Sequence, residues 1–135
     1  MSRPISDSYI VTQSIGTFAD EAGFKRGFIN DIKAKDKGLY RSILAIENTV
    51  EPGMPDLLMI DNEHKAYFAE IKYARKGIIT FKKTQIPWYK RHLNLHIFIA
   101  AYNDKTKNIH LITADCLLSN TENTSYKLKD EEGFI

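Results

Sequence analysis

"EPGMPDLLMIDNEHKAYFAEIKYARKG", residues 51–77, is the stretch on which the fold turns. Two apolar runs, "PDLLMID" and "AYFAEIKYA", flank the polar segment "DNEHK", whose length suits a hairpin loop. Runs of this length, bounded by turn-forming residues, read as strands. A Pro-Asp pair opens the first run, and fourteen positions after Asp56 the triplet Glu70-Ile71-Lys72 sits inside the second. Charges inside a buried strand cost stability unless they are partnered or put to use. Side chains two apart on a strand share a face, so Glu70 and Lys72 point the same way.

Pairing across "DNEHK" brings Asp56 near the residues around Glu70 without setting it directly opposite, so strand twist or a bulge is expected to close the gap. Two carboxylates side by side repel, and burial makes their ionisation worse, so a divalent cation between them is favoured. Ligation by carboxylates, a backbone carbonyl and waters suits Mg²⁺ or Mn²⁺. Lys72 then has a task, because a lysine beside an activated water can orient or deprotonate it and oppose the charge growing on a phosphate. Taken singly, each residue has a blander reading. An aspartate after proline is more often a turn residue, and a Glu-x-Lys triplet more often the wet face of an edge strand. The flanking "AYFA" and Ile71 favour a well-buried strand instead.

Outward from this hairpin, Phe24, Phe28 and Ile32 recur at spacing four and predict a helix over about 17–35. Glu21 lies at the end of that stripe, an acidic group at its inward end. "LYRSILAIEN" reads as a strand that joins the hairpin in a three-stranded meander. Beyond "RKGIITFKK", Thr84 is placed to cap a second helix over "QIPWYKRHLN", with Pro87 in its first turn where the missing N–H is harmless. "HIFIAAYN" and "NIHLITA" read as strands around the turn "DKTK", and "TADCLLSN" as a short helix. The order is α-β-β-β-α-β, an α/β class with a mixed sheet of about four to five strands flanked by helices. The core runs over about 17–118, and the polar stretch 119–135 reads as a tail or arm.

At 135 residues this is one domain. No apolar run is long enough for a membrane helix, the first residues lack the order of a secretory signal, and the lone Cys116 has no internal disulfide partner. A cytoplasmic, reducing setting is the expectation. Net charge is only +2, yet residues 65–92 hold eight basic residues against Glu70 alone, a balance of +7 that leaves −5 for the rest. A basic band coinciding with the candidate site favours a polyanionic partner. Lys76, Lys82, Lys83, Lys90 and Arg91 are the candidates for phosphate contact, and such contacts carry little sequence information. The four histidines lack zinc-site spacing and read as structural or surface groups, Trp88 reads as packing against the sheet, with stacking on an exposed base as the alternative, and no Gly-rich phosphate loop supports nucleotide triphosphate binding.

"GMPDLLMID" followed by "AYFAEIKYA" resembles the core of the PD-(D/E)xK nuclease superfamily, and Gln85 in "TQIPWYKRHL" resembles the VRR-NUC branch and related small stand-alone nucleases. The resemblance covers roughly residues 18–101. It implies a restriction-endonuclease-like fold and Mg²⁺- or Mn²⁺-dependent hydrolysis of DNA. It also implies that Asp56 and Glu70 hold the metal together with the main-chain carbonyl of Ile71, that Lys72 assists the attacking water, and that Gln85 lies beside the site. The first-helix acidic residue maps less well. Glu21 is the choice from the stripe, Lys25 stands where some relatives have a glutamate, and Glu47 is the rival from the adjacent strand. By analogy the enzyme is a homodimer that recognises branched, flapped or end-containing DNA, of a kind that suits a phage or mobile element. A non-catalytic DNA-binding or assembly module retaining the fold is the alternative.

Overall fold

The computed structural model describes residues 9–11, 17–35, 40–46, 51–120 and 124–128. Along the chain run β1 (Tyr9–Val11), α1 (Glu21–Lys35), β2 (Tyr40–Ala45), β3 (Leu57–Asp61), β4 (Ala66–Ala74), β5 (Ile78–Thr80), α2 (Gln85–Arg91), β6 (His96–Asn103), β7 (Asn108–Thr113), α3 (Ala114–Asn120) and β8 (Ser125–Lys127). Six strands form one sheet in the order β1-β7-β6-β4-β3-β2, and β5 and β8 form a two-stranded sheet of their own. β4 and β6 run parallel while the other pairs of the large sheet are antiparallel, so the sheet is mixed and the class α/β. Among the described residues, no helix is long and apolar enough to cross a membrane.

The apolar pattern explains the layering. The α1 stripe Phe24, Phe28 and Ile32 packs on one face of the sheet against Leu57, Met59, Ala69, Ile71, Phe98, Ala100 and Tyr102. Burying each stripe residue contributes roughly 1.5–3 kcal/mol. α1 starts later than the periodicity predicts because Asp20 caps it, its Oδ1 accepting the Gly23 N–H at 2.8 Å. On the opposite face, Ile86, Trp88 and Tyr89 of α2 and Leu117 of α3 pack with Ile97, Ile99, Ala101 and Ile112. β4 and β6 are thus covered on both sides, which is why they read as continuous apolar runs.

The meander β2-β3-β4 forms as expected, with three differences elsewhere. The large sheet has one strand more than expected, since the three-residue β1 pairs with β7. Within the stretch read as a polar tail, the described residues 124–128 are part of the fold. β8 pairs with β5, Tyr126 and Leu128 are 4% and 3% exposed, and the Leu128 N–H donates to the Gly77 carbonyl at 2.8 Å. β5 itself follows a tight turn in which Lys76 and Gly77 both hold positive φ, 55° and 75°, and the Ile78 N–H donates back to the Arg75 carbonyl. Thr84 precedes α2 without capping it through its side chain, because its φ of −83° and ψ of −19° are already helical. The side-chain carbonyl of Gln85 accepts the Lys82 N–H at 2.8 Å instead.

Candidate active site

The β3-β4 register settles the position of Asp56. Ile60 pairs with Ala66 and Leu57 with Ala69, so Asp56, one step before the strand, faces Glu70 directly. No bulge is needed, contrary to the offset expected from the loop length. Asp56 Oδ2 accepts the Ile71 N–H at 2.9 Å, which extends the ladder by a side chain. The Asp56 carbonyl accepts the Ile46 N–H at 2.8 Å.

Glu70 and Lys72 point to the face covered by α2, and both are buried, at 4% and 8% exposure. Their separation is 3.7 Å from Lys72 Nζ to Glu70 Oε2. Gln85, the first residue of α2, fixes both groups. Its Nε2 donates to Glu70 Oε2 at 2.8 Å, and its Oε1 accepts from Lys72 Nζ at 3.0 Å. The ammonium also sits 5.0 Å from the centre of the Phe81 ring. Glu70 Oε1, by contrast, is buried with no hydrogen bond. Burial, then the facing Asp56, push the Glu70 carboxyl up to about 8, against the smaller pulls of Lys72 and Gln85; Glu21 adds a further push upward.

These groups line a cleft of about 260 Å³ walled by Glu21, Asp56, Glu70, Lys72, Gln85 and the loop 52–54. A larger hollow of about 340 Å³, lined by Tyr67, Leu93, Leu95 and His96, holds none of them. The chemistry is concentrated in the smaller cleft. A hard cation suits its donor set in one respect, since Glu70 Oε1 is buried without a hydrogen bond and its carboxyl faces a second one, an arrangement that a bound cation would stabilise in ionised form. Among the described residues, though, no group of three or more His, Cys, Asp or Glu side chains is arranged to hold a metal. The pair Asp56 and Glu70 therefore forms the centre of any such site.

The remaining expectations fall out unevenly. Glu21, exposed at the start of α1, reaches the cleft wall, whereas Glu47 lies outside the described residues. Lys25, one helical turn after Glu21, places its Nζ 3.7 Å from Asp56 Oδ1. Ile71 is fully buried and takes part through its N–H. Of the five basic candidates only Lys82 lines the cleft; Lys83, Lys90 and Arg91 are exposed on and before α2, and Lys76 sits in the β4-β5 turn with its N–H on Asp104. Trp88 is 2% exposed, packed against Phe68. His110 is buried in β7 and His64 is an exposed turn residue.

One neighbour that feels the charges of the site was missed, although it does not line the cleft. Tyr89 is fully buried, its hydroxyl has no hydrogen bond, and burial followed by the charges of Glu70 and Asp56 pushes that hydroxyl well above its ordinary value. The signal was available, because Tyr89 is four residues after Gln85 and so shares its helix face. Neither a scan against protein-family models nor a search of curated proteins finds a match for this chain.

Proposed function

We propose that this chain is a metal-dependent nuclease that hydrolyses phosphodiester bonds in DNA. On this reading the fold is a restriction-endonuclease-like core of the PD-(D/E)xK kind, most like its VRR-NUC branch. What supports it is one observation: Asp56, Glu70, Lys72 and Gln85, drawn from three elements, meet in a single cleft. A buried carboxyl whose proton affinity is raised, set in a cleft with a second carboxylate and a lysine, is a constellation that hydrolytic sites use.

Asp56 and Glu70 would hold Mg²⁺ or Mn²⁺, which supplies positive charge for the phosphate and a water acidic enough to attack near neutral pH. Lys72 is held at the pair by Glu70 and Gln85, so its ammonium is fixed where it can orient the water and oppose charge on the phosphate. Gln85 locks the rotamers of both partners, a form of preorganisation. Lys82 lines the cleft just before α2, and exposed Lys83, Lys90 and Arg91 would extend it as a track for the phosphate backbone. With no base-reading element, selection is by DNA shape, at branches, flaps or ends. Cutting two strands calls for two sites and hence a homodimer. A cytoplasmic setting, that of the host cell if the protein is viral, completes the proposal.

A second reading, a non-catalytic DNA-binding module, draws on Lys25, whose ammonium already lies 3.7 Å from Asp56 Oδ1 and compensates its charge. Cleavage of a panel of labelled DNAs (four-way junction, flap, single strand, blunt duplex, supercoiled plasmid) with Mg²⁺, Mn²⁺ or EDTA decides between them. Cutting that needs metal and disappears in Glu70→Ala is the expected result. Binding without cutting under either metal would hand the case to the second reading.

A further inference from the structure

The segment that delivers Asp56 is tied to α2 by Glu51, Trp88 and His92, which do not themselves line the cleft, and by the backbone of Gly53, which does. The indole Nε1–H of Trp88 donates to Glu51 Oε1 at 2.9 Å, and His92 Nε2 lies 3.5 Å from the same oxygen. The Trp88 and His92 rings stack at 4.2 Å between centroids. Two residues on, Gly53 has φ of +99°, and a Cβ there would stand 2.3 Å from the Thr84 carbonyl oxygen and 3.0 Å from Trp88 Cβ. The backbone of the segment therefore lies directly on the first turn of α2, as only glycine allows. Its far end is fixed by the bonds of Asp56 to Ile71 and Ile46. α2 in turn carries Gln85, which holds Glu70 and Lys72.

We infer that Glu51, Gly53 and Trp88 form a clamp that seats α2 on the segment before Asp56 and so sets where Gln85 holds Glu70 and Lys72 relative to Asp56, whose own place opposite Glu70 the strand register fixes, with Glu51 and Trp88 acting as positioning residues for the site. The inference rests on the nuclease reading for its chemistry and on hydrogen bonds and close packing for its geometry. The clamp works by restraint. A hydrogen bond between a half-exposed carboxylate and a buried indole holds the Asp56 segment against α2, and small displacements of a reacting group are costly to rate.

Trp88 is the only tryptophan in the chain, so its fluorescence reports on the clamp without interference. The test compares wild type, Glu51→Ala and Glu51→Gln as full-length chains. Trp88 emission, Mn²⁺ affinity without DNA, thermal midpoint, and kcat and KM on a cleaved DNA are measured for each. Glu51 is exposed, so its replacement leaves the fold standing. Glu51→Ala is expected to shift Trp88 emission, weaken Mn²⁺ binding and lower kcat by about ten-fold with KM for DNA unchanged. Glu51→Gln, whose amide oxygen still accepts the indole N–H, is expected to restore both to within about two-fold. Shifted emission with unaltered Mn²⁺ affinity and kcat in Glu51→Ala would overturn the clamp, as would Glu51→Gln being equally defective. Should the wild type bind Mn²⁺ but cut no DNA, the nuclease reading falls and the Mn²⁺ comparison alone judges the clamp: weaker binding in Glu51→Ala supports it and equal binding overturns it. A wild type that neither cuts DNA nor binds Mn²⁺ overturns the clamp together with the nuclease reading.

Discussion

Replacing Glu70 by glutamine tests the electrostatics of the cleft before any substrate is involved. The carboxyl is buried and faces Asp56, and its affinity for a proton is raised from an ordinary value of 4.5 to about 8. The native state therefore keeps this proton over a range in which the unfolded chain has released it. Between about pH 4.5 and 8 the native state binds more protons than the unfolded one, so stability falls as pH rises and levels off above about 8. At roughly 1.4 kcal/mol for each pH unit, the full loss is at most about 5 kcal/mol. Screening does not erode it much, since Glu70 is almost fully buried. Urea unfolding in EDTA at pH 5 to 9, wild type beside Glu70→Gln, gives the difference directly. Glutamine keeps the shape and the acceptor for Gln85 Nε2 but does not titrate. The expected result is a wild type that loses several kcal/mol relative to the variant between pH 5 and 8. Parallel profiles would refute the reasoning, because they would mean that Glu70 is hydrated or compensated in a way the packing does not show.

Other perturbations probe separate parts of the account. Lys25→Met removes the ammonium facing Asp56 and should tighten Mn²⁺ binding about two- to five-fold in a calorimetric titration, the range expected for a partly exposed ion pair. Gly53→Ala puts a methyl group 2.3 Å from the Thr84 carbonyl at positive φ and should cost about 2–4 kcal/mol in denaturant unfolding, whereas an unchanged midpoint would show the segment free to move away. Replacing Lys82 and Lys83 by alanine should weaken DNA binding and lower the slope of log K against log salt by about one to two, and an unaltered slope would remove both from the phosphate track.

How much of this was legible in the chain differs from element to element, for physical reasons. The meander, the strand character of β6 and the face shared by Glu70 and Lys72 follow from long apolar runs and the two-residue period of a strand, so they could be read directly, whereas the parallel pairing of β6 with β4 came from the structure. Gln85 was picked out by the family resemblance, since local pattern marked only the start of a helix at Thr84 and Pro87, where a glutamine ordinarily reads as surface. The three-residue strands β1, β5 and β8 were not, since strands that short have no periodicity and exist only through their partners. Residues 125–128 looked polar because only Tyr126 and Leu128 are apolar, yet those two suffice to pin the segment to the core. The direct opposition of Asp56 and Glu70 was misjudged because register depends on where the hairpin closes, at Ile60 and Ala66, and counting loop residues does not reveal that. The Lys25–Asp56 pair was half-visible as an odd lysine in the first helix, and the Glu51–Trp88 tie joins residues thirty-seven apart that no local pattern connects.

The claim beneath the whole account is that Asp56 and Glu70 share one divalent cation. Mn²⁺ bound per chain, counted by electron paramagnetic resonance at pH 8 for wild type, Asp56→Asn and Glu70→Gln, tests it most directly. The account predicts one tightly bound Mn²⁺ in the wild type, displaced by excess Mg²⁺ and lost in both variants. No bound ion in the wild type, or binding that survives both substitutions, would contradict it.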